Sequence, residues 1–495
     1  MADGGDPSSM ILINPRSTKF GIFDKYVPLS VPIGIGCLAA YLESRKKRVV
    51  IFDEHVACVT RDLLIKAADT IDNPKIFGIS SLTACIHRTY EIAKMIKELY
   101  PDSRIIVGGI HPTVLANEVL AHAEIDYAVR GEGEEILDKL YDLIKNNGDV
   151  SSLRGISYKS NGRIFHNPAA GLPDLTKLPP FPYGLFEAHT DRYNFGFIAS
   201  SRGCPYDCIF CSQRIISGHQ FRYVPTDVVI NELDELLGRF GQTHINFVDD
   251  NFTANRPRVR QLCEEMIKRS FNKKATFDCQ TRADAIDEDI LKLLKEAGFR
   301  LINFGLETSS ERLMVLLNKK ETVQQNIDAV RLAKKFGFGV SATFIFGLPT
   351  ETREDRWRAY HLAKELDLDY VRFNNATPYP GTRLYEIAVA ENSLYVEKDW
   401  QNLNACATLV ADRQTEAHLP YVPQGIDEKT LKKDIIKANL YFSLRPNRVM
   451  RLLVKRVGPA GWFYLPQRWY LDPREWLSLF KLGFSLMRSL FRALF

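Results

Sequence analysis

Continuously apolar runs alternate twice with amphipathic stretches along this 495-residue chain, and no other feature restricts its folding as much. The first runs are "MILIN" (10–14), "VVIFD" (49–53), "KIFGIS" (75–80), "RIIVGG" (104–109) and "YAVRGE" (127–132). Helical stretches such as "RTYEIAKMIKELY" (88–100) separate them. A strand without a polar face has to be covered on both sides, which helices achieve in a parallel sheet. Residues 10–150 therefore predict an α/β, doubly wound Rossmann-like domain with its ligand beyond the carboxyl ends of the strands. The polar start, 1–9, is expected to be disordered.

The prolines at 168, 173, 179, 180 and 182 predict a linker over 151–190, because proline removes donors and fixes the backbone. The alternation then resumes with "FGFIAS" (195–200), "HINFVDD" (244–250), "ATFDCQT" (275–281), "RLINFGLE" (300–307), "VSATFIFG" (340–347) and "YVRFNNATPY" (370–379). Six βα units over 191–385 predict a parallel TIM-type barrel, partial rather than closed, with its chemistry at the carboxyl ends. Residues 386–495 lose the alternation and predict a mainly helical C-terminal segment that contacts substrate and membrane.

The first barrel strand runs into "SRGCPYDCIFCSQ" (201–213), where Cys204, Cys208 and Cys211 form a C-x3-C-x2-C loop. The other six cysteines are scattered, so neither a disulfide framework nor a paired zinc motif is legible. Thiolates suit zinc or iron–sulfur clusters. A structural zinc takes four ligands, and His219 is the nearest fourth candidate. Three thiols could instead hold three irons of a [4Fe–4S] cluster and leave the fourth open.

"CPYDCIFC", with Phe210 before the last cysteine, resembles the signature of the radical S-adenosylmethionine (SAM) superfamily. The resemblance implies a [4Fe–4S] cluster whose open iron chelates SAM, and reductive cleavage to a 5′-deoxyadenosyl radical that abstracts hydrogen. It implies a SAM site built from Phe210, Asp249 and Asp250 in "VDDNF", Arg282 in "TRAD", Glu307 in "GLETSS" and Gly347 in "FIFGLPTET". It names no catalytic side chain.

The domain that precedes this barrel resembles the cobalamin-binding class of the superfamily, through "VPLSVPIGIGCLAAYL" (27–42), "GISSLTACIHRTYEIA" (78–93), "IVGGIHPTV" (106–114) and "VRGEGEE" (129–135). The implied cobalamin residues are Ser80, Ser81, Thr83, Gly108, Gly109, His111, Gly131 and Glu132. The D-x-H-x-x-G motif that supplies a cobalt histidine elsewhere is absent. "DEHVAC" (53–58) approaches it but ends in Cys58 and follows the second strand instead of the first. No protein histidine is therefore expected on cobalt, and Thr83 and His87 are candidates for lining its lower face.

The resemblance implies an enzyme that methylates an unactivated carbon of a small, lipid-like molecule. Cyclisation, ring rearrangement or oxidation with the same cofactors is the alternative, and a non-enzymatic cobalamin sensor is a third reading. A methylthiotransferase is disfavoured, since no second cluster motif and no nucleic-acid module is present. The expected partners are a small-molecule substrate and an electron donor such as flavodoxin or ferredoxin, with no nucleic acid. Net charge is only +5, but residues 440–495 hold ten Lys/Arg against two Asp/Glu. The final "WLSLFKLGFSLMRSLFRALF" places Lys481, Arg488 and Arg492 in one stripe on an apolar helix. That pattern predicts a cytoplasmic protein held peripherally on the inner membrane face.

Overall fold

The first alternation folds into a seven-stranded sheet. The computed structural model describes residues 9–16, 29–396, 400–403, 405 and 418–445. The polar start and the basic apolar helix expected at the C-terminus lie outside the described residues. Strand β1 (Met10–Asn14) runs between β2 (Val49–Asp53) and β3 (Ile76–Ser80), with β4 (Arg104–Gly108) and β5 (Tyr127–Val129) beyond, all parallel. The order β2-β1-β3-β4-β5 reverses direction between β1 and β3, which puts the ligand crevice there. Side chains alternate across the sheet. Met10 and Leu12 pack with Ile35 and Leu140 on one face, while Ile11 and Ile13 pack with Leu64 and Ile92 on the other. Each such side chain, once buried, contributes about 1.5–3 kcal/mol.

The expected linker requires correction. Residues 156–166 add β6 (Ile156–Ser160) and β7 (Arg163–His166), antiparallel, to the edge at β5. Asn161 and Gly162 turn the hairpin at φ 48° and 73°. This is the left-handed pair that a two-residue hairpin loop needs. Only the proline-rich remainder is irregular chain, interrupted by the 3-10 segments Leu175–Lys177 and Tyr183–His189.

The second alternation forms six parallel strands in sequential order. They are β8 (Phe197–Ile198), β9 (His244–Phe247), β10 (Thr276–Thr281), β11 (Phe299–Glu307), β12 (Gly339–Phe346) and β13 (Tyr370–Asn375). Among the described residues β8 and β13 are not paired with each other. Phe247, Phe277, Phe299 and Phe304 share one core with helix residues such as Leu262, Met266 and Leu294, with the rings of Phe247 and Phe299 5.5 Å apart.

The open edge at β13 is covered by the helix Glu428–Ser443. Asn439 Nδ2 donates to Phe373 O at 2.8 Å, and its Oδ1 accepts from Phe373 N–H at 3.1 Å. One side-chain amide thus occupies the place of a neighbouring strand. Asp434 anchors the same helix to Arg353 and Arg356 at 3.1 and 3.2 Å. This part of the expected C-terminal segment therefore packs as a wall of the barrel. Asn439→Leu should cost about 1–3 kcal/mol, because both Phe373 groups would be left buried without partners. Urea unfolding measures the cost, and the Phe373 amide should exchange hydrogen faster than in the parent. Unchanged exchange would sink this account of the edge.

Candidate active site

The cysteine loop leaves β8 at the carboxyl end of the barrel. Gly203 has φ 87°, and a Cβ there would lie 2.2 Å from Gln220 O, so only glycine fits. Its N–H donates to Asp250 Oδ2 at 2.9 Å. The middle of the loop is pinned on both sides. Ile209 N–H donates to Leu317 O at 3.1 Å, and Ile209 O accepts from Leu384 N–H at 2.9 Å. Ile209 is buried among Leu313, Leu317 and Leu348, with Phe210 packed beside it. This anchoring leaves Cys204, Cys208 and Cys211 half-buried, and all three are free thiols.

Burial pushes the three thiols up, Cys208 to about 12, with Lys319 and Arg282 pulling Cys208 the other way. Such thiols stay protonated until a metal displaces the proton. His219 is exposed. No three His, Cys, Asp or Glu side chains among the described residues converge on one ion. Three soft donors on one loop fit a polynuclear cluster, in which each thiolate would take its own iron.

Phe210 lies within the cysteine loop, and the other five expected SAM residues stand at carboxyl strand ends, but many are already engaged. Asp249 is 2 % exposed and accepts from Ser200 Oγ at 2.9 and 3.0 Å and from Ser201 Oγ. Arg258 stands behind it at 3.9 Å. Asp249 therefore braces the base of the loop, while Asp250 holds Gly203. Arg282 forks onto Asp284 at 2.8 and 2.9 Å and lies 3.4 Å over the Tyr206 ring of the cysteine loop. Its bidentate carboxylate partner is thus internal. Glu307, at φ 62°, is buried 3.5 Å from Lys319, whose Nζ also meets Glu321 at 3.0 Å. A Cβ on Gly305 would come within 2.3 Å of Glu307 Oε1, which explains that glycine. Burial raises the Glu307 pKa, and Lys319 opposes the rise. Gly347, at φ 82°, donates its N–H to Glu351 at 2.5 Å and packs under Leu431 of the C-terminal helix.

At the mouth of the first sheet, Ser80 is half-buried and Thr83 is buried. Ser81 is fully buried, and its Oγ accepts from Thr89 Oγ1 at 2.9 Å. Gly109 has φ 110°, and Ser81 O would stand 2.6 Å from a Cβ there. That glycine serves backbone packing. Gly108 is open, with its nearest neighbour at 3.8 Å, and Gly131, at φ 88°, has nothing within 4 Å of a Cβ. Leu82 is 62 % exposed beside them. An uncovered leucine and uncrowded backbone beyond the carboxyl ends of β3, β4 and β5 fit a large, mostly apolar macrocycle such as a corrin. His111 is 1 % exposed, 3.4 Å from Glu118 and edge-on to Trp400. His55 Nδ1 lies 3.0 Å from Asp53, which also accepts from Tyr193 OH at 2.7 Å. "DEHVAC" thus serves the seam between the domains.

Glu132 also belongs to that seam. Arg202, two positions before Cys204, reaches Glu132 at 2.8 Å and Glu134 at 2.7 Å. Arg222 pairs with Glu132 and donates to Pro173 O at 3.0 Å. The carboxyl mouth of the first sheet is therefore fastened to the cysteine loop. Sequence reasoning missed Arg202, Arg222, Arg258, Ser200, Ser201, Lys319 and Glu321. Only "SRGC" gave a local hint, by placing Arg202 and Ser201 beside the first cysteine. A buried lysine such as Lys319 in "NKKET" carries no local signal.

Residues 198–363 match the Radical SAM superfamily, and residues 21–141 match the B12 binding domain. The chain is 31% identical to an uncharacterized methyltransferase of Pyrococcus horikoshii over 86% of this chain and 91% of that protein. It is 29% identical to the anaerobic magnesium-protoporphyrin IX monomethyl ester cyclase of Rubrivivax gelatinosus, over 72% of this chain and 66% of that protein. In fold it resembles the radical SAM methyltransferase TsrM of Kitasatospora setae, solved with tryptophan substrate and a SAM analogue. The TM-score is 0.70 at 19% identity, over 88% of this chain and 89% of that one.

Proposed function

The chain belongs to the cobalamin-binding radical SAM superfamily, and from that premise we propose that it methylates an unactivated carbon of a small, apolar substrate. It is an enzyme whose cofactors are a [4Fe–4S] cluster, SAM and cobalamin. When bound, cobalamin supplies a methyl carrier, and the cluster with SAM supplies the one-electron chemistry that activates a C–H bond.

In this reading Cys204, Cys208 and Cys211 hold the cluster, and Phe210 seats the loop. Asp249 and Arg282 stiffen its two flanks, and Asp250 fixes Gly203. Lone pairs of Asp250 and Glu307 left free by the protein accept from SAM, with the Gly347 turn beside it. Ser80, Thr83, Gly108 and Gly131 line the cobalamin crevice. Ser81, Gly109 and His111 support it from behind, and Glu132 joins it to the barrel. The observation that carries the proposal is the Arg202 clamp on Glu132 and Glu134, since methyl passage between two cofactors needs their two mouths held together.

The reconstituted protein, given CD3-labelled SAM, should pass label to its bound corrinoid, read by mass spectrometry of the extracted cofactor. Formation of 5′-deoxyadenosine with no label on the corrinoid would overturn methylation. That result would favour the cyclisation reading, which the likeness to the protoporphyrin ester cyclase supports. The optical spectrum of bound cobalamin should be identical in His55→Ala. A lost nitrogen signature would return His55 to cobalt.

The reading extends to a cytoplasmic setting, a flavodoxin- or ferredoxin-class electron donor and attachment to anionic membrane through residues 476–495. The stripe of Lys481, Arg488 and Arg492 supports the last of these, because each basic residue near such a surface contributes about 1 kcal/mol. No helix among the described residues is long and apolar enough to cross a membrane. Anionic liposomes should carry the full chain upward in flotation and leave behind a chain ending at Pro473. A full chain that stays with the soluble fraction at low salt would end the membrane claim.

A further inference from the structure

The helix Glu428–Ser443 covers the β13 edge with one face, and its outer face is not the polar surface expected of such a helix. Leu431, Asp434, Ile435, Ala438, Asn439 and Phe442 are buried on the barrel side. On the other side Lys429, Lys433 and Lys437 follow one another at four-residue intervals. Like charges at that spacing repel and destabilise a helix, so the stripe needs an explanation. None of the three forms an ion pair with a described residue. Glu428 is taken by Lys432 at 2.7 Å, and Asp427 caps the helix by accepting from Thr430 N–H at 2.8 Å. Ile436, Leu440, Tyr441 and Leu444 continue this side and join none of the apolar cores. Tyr441 and Leu444 are 45 % and 61 % exposed, and the Trp357 ring of the neighbouring helix Arg353–Glu365 stands 6.4 Å from that of Tyr441. At about 100° per residue the three lysines and these four positions share an arc of about 140°.

We infer that this face docks on an anionic lipid bilayer, drawn by the lysine stripe and seated by the apolar end. The inference rests on the membrane reading above and extends it from the last twenty residues to the folded barrel. Lysines beside an exposed tyrosine, tryptophan and leucine form the pattern of a helix that lies in a membrane interface. An acidic protein would meet the lysines but would leave the apolar end uncovered. The charges complement anionic headgroups, because Glu354 on the neighbouring helix is already paired with Arg358 at 3.0 Å. In sequence the helix leads directly into the basic stretch that holds three tryptophans. Stable attachment takes two signals, and the stripe supplies the second. The helix runs alongside the strands, with Leu431 against Gly347 at the carboxyl end of β12 and Arg445 donating to Leu368 O at 3.2 Å just before β13. Flat on a bilayer, it would lay the barrel on its side, with the carboxyl mouth opening along the surface.

The test is flotation of the full chain with phosphatidylcholine vesicles that do or do not contain phosphatidylglycerol. A parent that floats with neither sinks the membrane reading itself, and this inference with it. Changing Lys429, Lys433 and Lys437 together to glutamine should lower partitioning onto the anionic vesicles about a hundredfold. Glutamine keeps the helix propensity of lysine, so the helix itself is retained. Leu444→Gln should lower partitioning about tenfold. A second measurement needs no substitution. Acylation of surface lysines in the parent, read by mass spectrometry, should slow at Lys429, Lys433 and Lys437 when anionic vesicles are added. The rate at Lys268, exposed on the helix after β9, should stay the same. A parent that floats while the glutamine variant floats equally well, or while the three lysines acylate at unchanged rates, overturns the inference. So does protection of the stripe by a flavodoxin-class protein and not by vesicles, which would assign this face to the electron donor.

Discussion

Replacing any one of Cys204, Cys208 and Cys211 with alanine should remove the cluster and take 5′-deoxyadenosine formation below detection. The parent should hold about four irons per chain after reconstitution. Each thiol is the sole soft donor at its corner of the loop, and His219, the nearest alternative, is exposed. The loop cannot shift to compensate. Gly203 is held by Asp250, and Ile209 is bonded on both sides. A lost ligand therefore leaves one iron open to water. The cobalamin spectrum provides the internal control, because the first sheet has its own core. Iron content and product formation at parental levels in a triple alanine variant would end the radical reading.

Arg202→Ala should have the next largest effect, acting on the joint between the domains. The side chains of Glu132 and Glu134 are each 5 % exposed, and Arg202 meets them at 2.8 and 2.7 Å. Without the guanidinium, Glu134 loses its cation and Glu132 keeps Arg222 alone. Removing one partner of a buried pair costs about 3–5 kcal/mol, largely because a buried charge is left uncompensated. Urea unfolding should report that loss. The functional consequence is more specific, because SAM cleavage needs only the barrel whereas label transfer to the corrinoid needs both mouths in register. The ratio of corrinoid label to 5′-deoxyadenosine should fall in Arg202→Ala. A variant with parental stability and an unchanged ratio would show that the clamp couples nothing. Pairing Arg202→Ala with Glu134→Gln in a double-mutant cycle would isolate the contact energy.

Eleven of the seventeen strands among the described residues were legible as apolar runs, because burial on both faces leaves a pattern within five to ten neighbouring residues. Of the six missed, four are only two residues long, and β6 and β7 form an edge hairpin with exposed polar positions and no such run. Their one signal, Asn161-Gly162, lay inside a region read through its prolines. The cysteine spacing and the likeness around it also depend only on adjacent residues, so they were legible in the same way.

Single residues at strand ends were not. Asp249, Arg282 and Glu132 were expected to face ligands, yet each spends its charge on protein partners that the sequence does not place nearby. Glu132 finds Arg202 70 residues away, and Asn439 caps β13 across 66. By itself, the sequence determined the two sheets, the order of their strands' carboxyl ends and the loop that carries the thiols. These follow from local periodicity and from short-range backbone sterics. Only the tertiary structure decided which carboxylates are spent, that Lys319 is buried between Glu307 and Glu321 and that the two mouths are locked together. An ion pair or a buried amide is fixed by distance in space and by exclusion of water, and neither quantity is written in the spacing of residues along a chain.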